Sequence, residues 1–135
     1  PAAPPLPAAN WDIHVHFPAG GVPKDGPSAG VTLAVALVSL LAGRAARPDT
    51  AMTGELTLRG LVLPVGGLDQ KVAAAHASGL RRVLVPRRNL ADVLAEVPAH
   101  VRAGLEVLPC DNLHQVLELA FDPPMRAAEH AVAKA

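Results

Sequence analysis

The segment Ser28 to Ala42, SAGVTLAVALVSLLA, is apolar at nearly every position and is followed at once by Gly43. A helix with this pattern has no polar face to turn toward water, so it is expected to be buried rather than surface-lying. Gly43 supplies the residue that ends it. The longest apolar run, Val31 to Ala42, is too short to span a bilayer and is interrupted by Thr32 and Ser39. The chain must therefore surround this helix with other elements of a globular core.

The rest of the chain supplies them in alternation. Trp11 to Phe17 places Ile13, Val15 and Phe17 on one side and Asp12, His14 and His16 on the other, the signature of a half-buried strand. Residues 51–58 and 61–65 read as two strands joined at Arg59-Gly60 in a hairpin. A helix is expected over 68–78, closed by Gly79. It is followed by a strand over 82–85, a helix over 89–96 stopped by Pro98, a strand over 105–108 and a helix over 112–121. Strands alternating with helices give an α/β (α+β) domain, and the hairpin implies a mixed β-sheet with packed helices. Residues 1–10, PAAPPLPAAN, read as a Pro/Ala-rich linker or loop, 11–121 as the domain, and 122–135 as a mobile tail.

Composition narrows the function. Lys and Arg total 12 and Asp and Glu total 12, so no net field favours nucleic acid or an anionic membrane. Two Phe, one Trp and no Tyr offer almost no stacking surface for bases or sugars. The single cysteine, Cys110, rules out an internal disulfide and suits a reducing compartment. No secretory leader pattern is present, and a soluble domain is expected. Neither G-x-x-x-x-G-K-[ST] nor G-x-G-x-x-G occurs, so no nucleotide-binding loop is expected here.

Three segments can carry chemistry. In DGPSAG, residues 25–30, Ser28 stands between glycines at the mouth of the apolar helix. Gly26 and Gly30 permit close backbone approach, and the helix start offers N–H groups and a positive dipole end to a developing oxyanion. Taken alone, the segment is better explained by a serine that caps its helix. GPSAG also fits the nucleophile elbow G-x-S-x-G, but Pro- and Gly-rich sequence, not a strand, precedes it, and His100, His114 and His130 fall in or near surface helices. The second candidate is Lys71, at the edge of the Leu68, Val72, Ala75, Gly79 stripe. A lone lysine there usually snorkels. Desolvated, it would instead become a usable base near neutral pH, and serine paired with lysine is a known alternative to a His-dependent triad. The third is AMTGELTLRG, where Thr53 can orient an amine and Glu55 can meet a cation. His14 and His16 share a strand face at ligand spacing, yet no further ligand cluster accompanies them, so no metal is expected.

Together, HVHFPAGGVPKDGPSAGVTLAVALVSLLAGR and AMTGELTLRGLVLPVGGLDQKVAAAHASGLRRVLVP resemble the proteolytic domain of Lon proteases almost continuously from Trp11 to Phe121. The wording WDIHVHFPAG with GLVLPVGG is most similar to the plant-type peroxisomal branch. The resemblance implies a serine endopeptidase with Ser28 as nucleophile, Lys71 as base and Thr53 hydrogen-bonded to the lysine amine. It implies that Asp25, within the serine motif beside Gly26 and Pro27, belongs to a loop able to open or block the site, and that His14 and His16 are structural or accessory. It further implies no cofactor in this domain and ATP with magnesium in the full-length enzyme. The expected partners are unfolded or damaged protein substrates and a hexameric ring of identical chains, with no membrane and no nucleic acid through this domain. The expected location is intracellular, in the bacterial cytoplasm or an organelle matrix, with a peroxisomal lean. The recognition and ATPase modules of that family, and the first part of its proteolytic domain, are not represented here. The competing reading is a non-catalytic Lon-like module serving assembly or DNA contact. It predicts a basic groove without an accessible serine.

Overall fold

The computed structural model describes residues 12–18, 20–21 and 26–125. Asp25, Trp11, the 1–10 segment and residues 126–135 of the expected tail lie outside the described residues.

The elements run in the order α1 (Gly30–Ala42), β1 (Thr50–Met52), β2 (Glu55–Leu56), β3 (Val62–Leu63), α2 (Leu68–Ala77), β4 (Arg82–Pro86), a 3-10 turn (Arg87–Asn89), α3 (Leu90–Glu96), α4 (Ala99–Ala103), β5 (Glu106–Cys110) and α5 (Leu113–Ala120). β1, β4 and β5 form a parallel sheet in the order β1-β4-β5, with Thr50 opposite Arg82 and Arg82 opposite Glu106. β2 and β3 pair antiparallel as the expected hairpin, with Glu55 opposite Leu63. The α/β class holds, and strands of both senses are present, but they are divided between two sheets. The expected strand over 51–58 is broken at Thr53-Gly54, where the chain leaves the parallel sheet for the hairpin. Thr53 of that break lines the candidate site.

β4 explains the layering. It is buried along almost its whole length, as a central parallel strand must be. Its side chains alternate between two cores. Leu84 joins Val31 and Val35 of α1 and Val116, Leu117 and Ala120 of α5. Val83 and Val85 join Leu68, Val72 and Ala75 of α2 and Val93 of α3. The parallel sheet therefore lies between α1 and α5 on one side and α2, α3 and α4 on the other.

Three expectations change. The α1 helix is not enclosed: Val31 and Val35 are buried, while Thr32, Ala36 and Leu40 form an exposed stripe, Leu40 at 73%. Its apolar pattern demands cover on every side, and the described residues cover only one. Residues 12–17 form no strand, and Ile13, Val15 and Phe17 are exposed. Alternation fixes which way side chains point, but a strand also needs a ladder partner for its backbone, and no described strand pairs with this segment. The chain also remains packed past Asp122: Met125 is buried in the α1–α5 core and Asp122 pairs with Arg47 at 3.1 Å. The short helix α4 was not expected. It follows Pro98, whose fixed φ suits a helix start.

Candidate active site

The start of α1 is clasped to the break after β1 by two backbone bonds. Gly54 donates its N–H to the Ser28 carbonyl at 3.0 Å, and Val31 donates to the Gly54 carbonyl at 3.1 Å. Two glycines make this approach possible. A Cβ on Gly30 would stand 2.9 Å from the Leu56 nitrogen, and one on Gly54 would stand 2.9 Å from both Val31 Cγ2 and Val62 Cγ1. Thr53 is buried at 6% exposure. Its N–H is held by the Leu84 carbonyl at 3.1 Å, and its hydroxyl donates to the Ser28 carbonyl at 3.5 Å. Gly26, at φ 74°, supplies the left-handed residue that bends the loop toward Ser28. Pro27 accepts the Gly30 N–H at 3.4 Å.

Ser28 does not cap α1. The N-cap residue is Ala29, and no side chain caps the helix. The ordinary reason for a serine at a helix mouth is therefore missing, and Ser28 instead lines a cleft. The Gly30 and Val31 N–H groups are already engaged by Pro27 and Gly54, so the helix start offers fewer N–H groups than the sequence suggests.

Lys71 comes from the opposite side of the sheet. The turn Pro64-Val65-Gly66-Gly67 leads into α2, with Gly67 as a left-handed N-cap at φ 67°. Side chains on a helix lean toward its N-terminus, and Lys71 accordingly folds back over the first turn. Its Nζ donates to the Gly66 carbonyl at 2.9 Å.

The cleft between α1 and α2 encloses about 410 Å3. Ser28, Thr53 and Lys71 all line it, and Ala51, Met52, Ala74, Leu80 and Val83 give it apolar walls. Among the described residues, the cleft is lined by Lys71 and by no histidine. Glu55, in β2, and Gly26 and Pro27, in the serine loop, are not among the lining residues. His14 and His16 lie in the exposed segment, their rings 6.5 Å apart. Among the described residues, no group of three or more His, Cys, Asp or Glu is placed to hold a metal ion, and no helix is long and apolar enough to cross a membrane. Gly54 and Gly66 were not singled out from the sequence as site residues. The glycine after Thr53 and the glycine pair before the lysine helix were the signals available.

The family model for the Lon protease (S16) C-terminal proteolytic domain matches residues 5–123. Over 111 residues, 82% of this chain, it is 63% identical to the Lon protease homolog 2, peroxisomal, of Oryza sativa subsp. indica. Over 113 residues, 84% of this chain, it is 60% identical to the Lon protease homolog 2, peroxisomal, of Bos taurus. Over 130 residues, 93% of this chain, it is 53% identical to Lon protease 1 of Herpetosiphon aurantiacus. The matched regions make up 12%, 13% and 16% of those proteins.

Proposed function

The chain belongs to the Lon protease family, as its C-terminal proteolytic domain, and from that premise we propose that it cleaves peptide bonds with Ser28 as nucleophile and Lys71 as general base. The observation that carries this reading is the shared cleft. Ser28, released from capping, reaches it from the loop before α1 and Lys71 from α2 on the opposite face of the sheet, and buried Thr53 lines it with them.

The reaction is acyl transfer in two stages. The neutral Lys71 amine takes the Ser28 hydroxyl proton while Oγ bonds to the peptide carbonyl carbon. The carbonyl oxygen becomes an oxyanion, stabilised by backbone N–H groups. Gly30 and Val31 are spoken for, so the N–H groups of Gly26, Ser28 and Ala29 are assigned this role, at about 3–4 kcal/mol per donor. As the C–N bond breaks, the Lys71 ammonium returns its proton to the leaving amine. Water then gives a proton to Lys71 as its oxygen adds to the acyl ester, and collapse frees the carboxylic acid and restores Ser28. Thr53 holds the serine carbonyl and so fixes the loop that presents the hydroxyl.

Asp25, Gly26 and Pro27 are assigned to a loop that opens or blocks the site, and Glu55, His14 and His16 to its support. The proteolytic domain itself needs no cofactor. ATP and magnesium are assigned to another module of the full-length protein, since this sequence carries no phosphate-binding loop. The domain is assigned residues 11–121, extended by the packed segment 122–125. The substrates are unfolded or damaged proteins, and the active assembly is a hexameric ring. The location is intracellular, in the bacterial cytoplasm or an organelle matrix, with a peroxisomal lean from the peroxisomal relatives.

The test is Lys71→Arg in the full-length protein. Arginine keeps the charge and cannot supply a neutral base, so peptide hydrolysis should vanish while the protein stays folded. Retained hydrolysis would overturn the assignment.

A further inference from the structure

Asn89 is 3% exposed and stands at the start of α3, where an asparagine ordinarily caps its own helix. Its side chain makes no cap bond. It reaches instead to the turn before α2. Oδ1 accepts the Val65 N–H at 2.9 Å, and Nδ2 donates to the Val65 carbonyl at 3.0 Å and to Asp92 Oδ2 at 2.6 Å. The amide thus takes both backbone groups of one residue, as a neighbouring strand would. Asp92 fixes which end of the amide carries the nitrogen, because an ionised carboxylate only accepts.

Val65 is followed by Gly66 and Gly67, the most freely rotating pair the backbone offers. The Gly66 carbonyl receives Lys71 Nζ, and the Gly67 carbonyl receives the Lys71 N–H at 3.1 Å. α2 holds this pair from one side. From the other side it is held by Val65, and Val65 is held by Asn89. We infer that Asn89 is a positioning residue for Lys71: it immobilises the glycine turn whose carbonyl aims the amine. This rests on the reading of Lys71 as the base. The amide links the start of α3 to the turn before α2, and Asn89 is not among the residues that line the cleft.

The test uses the full-length protein with Asn89→Ala, Asp92→Ala and Lys71→Arg, assayed by peptide hydrolysis across pH and by thermal melting. Misaiming a catalytic group by about 1 Å costs on the order of 100-fold. Asn89→Ala should therefore lower kcat roughly 10- to 100-fold, leave KM within about twofold, and displace the midpoint of the alkaline rise in rate. Asp92→Ala, at a half-buried position, should shift kcat and midpoint in the same sense by a smaller factor and serves if Asn89→Ala does not fold. Unchanged kcat and midpoint in a folded Asn89→Ala, or in Asp92→Ala if only that variant folds, would overturn the inference. If Lys71→Arg is inactive in the same series, the dyad assignment survives that failure. An active Lys71→Arg would sink both.

Discussion

The Ser28 carbonyl is bonded to the Gly54 N–H at 3.0 Å, and Gly54 in turn receives the Val31 N–H at 3.1 Å. Ser28, the start of α1 and the end of β1 are thereby joined in one unit. The position of the Ser28 side chain is set by the sheet rather than by a surface loop. Gly54 permits this because its missing Cβ leaves room for Val31 and Val62.

Gly54→Ala should therefore loosen the clasp. Its new Cβ would press on Val31 and Val62, an overpacking that costs about 1–3 kcal/mol. Thermal melting of the variant should show that loss, and peptide hydrolysis by the full-length protein should fall with it. Gly30→Ala should behave similarly, since the obstacle is the Leu56 backbone.

Ser28→Ala separates a nucleophile from a cap. Removing a serine cap costs about 1 kcal/mol. Because no side chain caps α1, the melting free energy should change by less than about 0.5 kcal/mol. Hydrolysis should be abolished. A clear loss of stability would show that the hydroxyl is structural.

Much of this was legible in the sequence, and the misses share a cause. Helix positions followed from apolar periodicity and glycine stops, because those signals are local. Ser28 and Lys71 were recognisable from their motifs. What could not be read were features that depend on distant partners. The break at Thr53-Gly54 exists because β1 pairs with β4 while β2 pairs with β3. Residues 12–17 have the side-chain pattern of a strand without the ladder. Asn89 looks like a helix cap and serves a turn 24 residues away.

Asp49 ties acid stability to the sheet's edge. Its backbone carbonyl accepts the Arg81 and Arg82 N–H groups at 3.0 and 3.1 Å, joining the start of β1 to β4. Hydrogen bonding from Arg47, with help from Thr50, holds its carboxyl down at about 2. A folded-state value below the unfolded one of about 3.9 stabilises the fold above that pH. That contribution fades as pH falls from about 4 toward 2. Asp49→Asn should melt lower than the parent at neutral pH, and the gap should close over that window.

Cys110 should be inert in the folded protein. It is 1% exposed, and burial pushes its thiol up to about 11. The thiolate is the reactive form, so alkylation at pH 8 should be negligible until the protein is unfolded by denaturant. Rapid labelling of the native protein would contradict the packing of β5 against α5.

The most direct test of the Ser28–Lys71 assignment is the pH dependence of kcat/KM for peptide hydrolysis by the full-length protein. The rate should rise with a midpoint above about 7, the range of a lysine tuned by burial. A rise centred near 6.5, the ordinary value for an imidazole, would contradict lysine as the base.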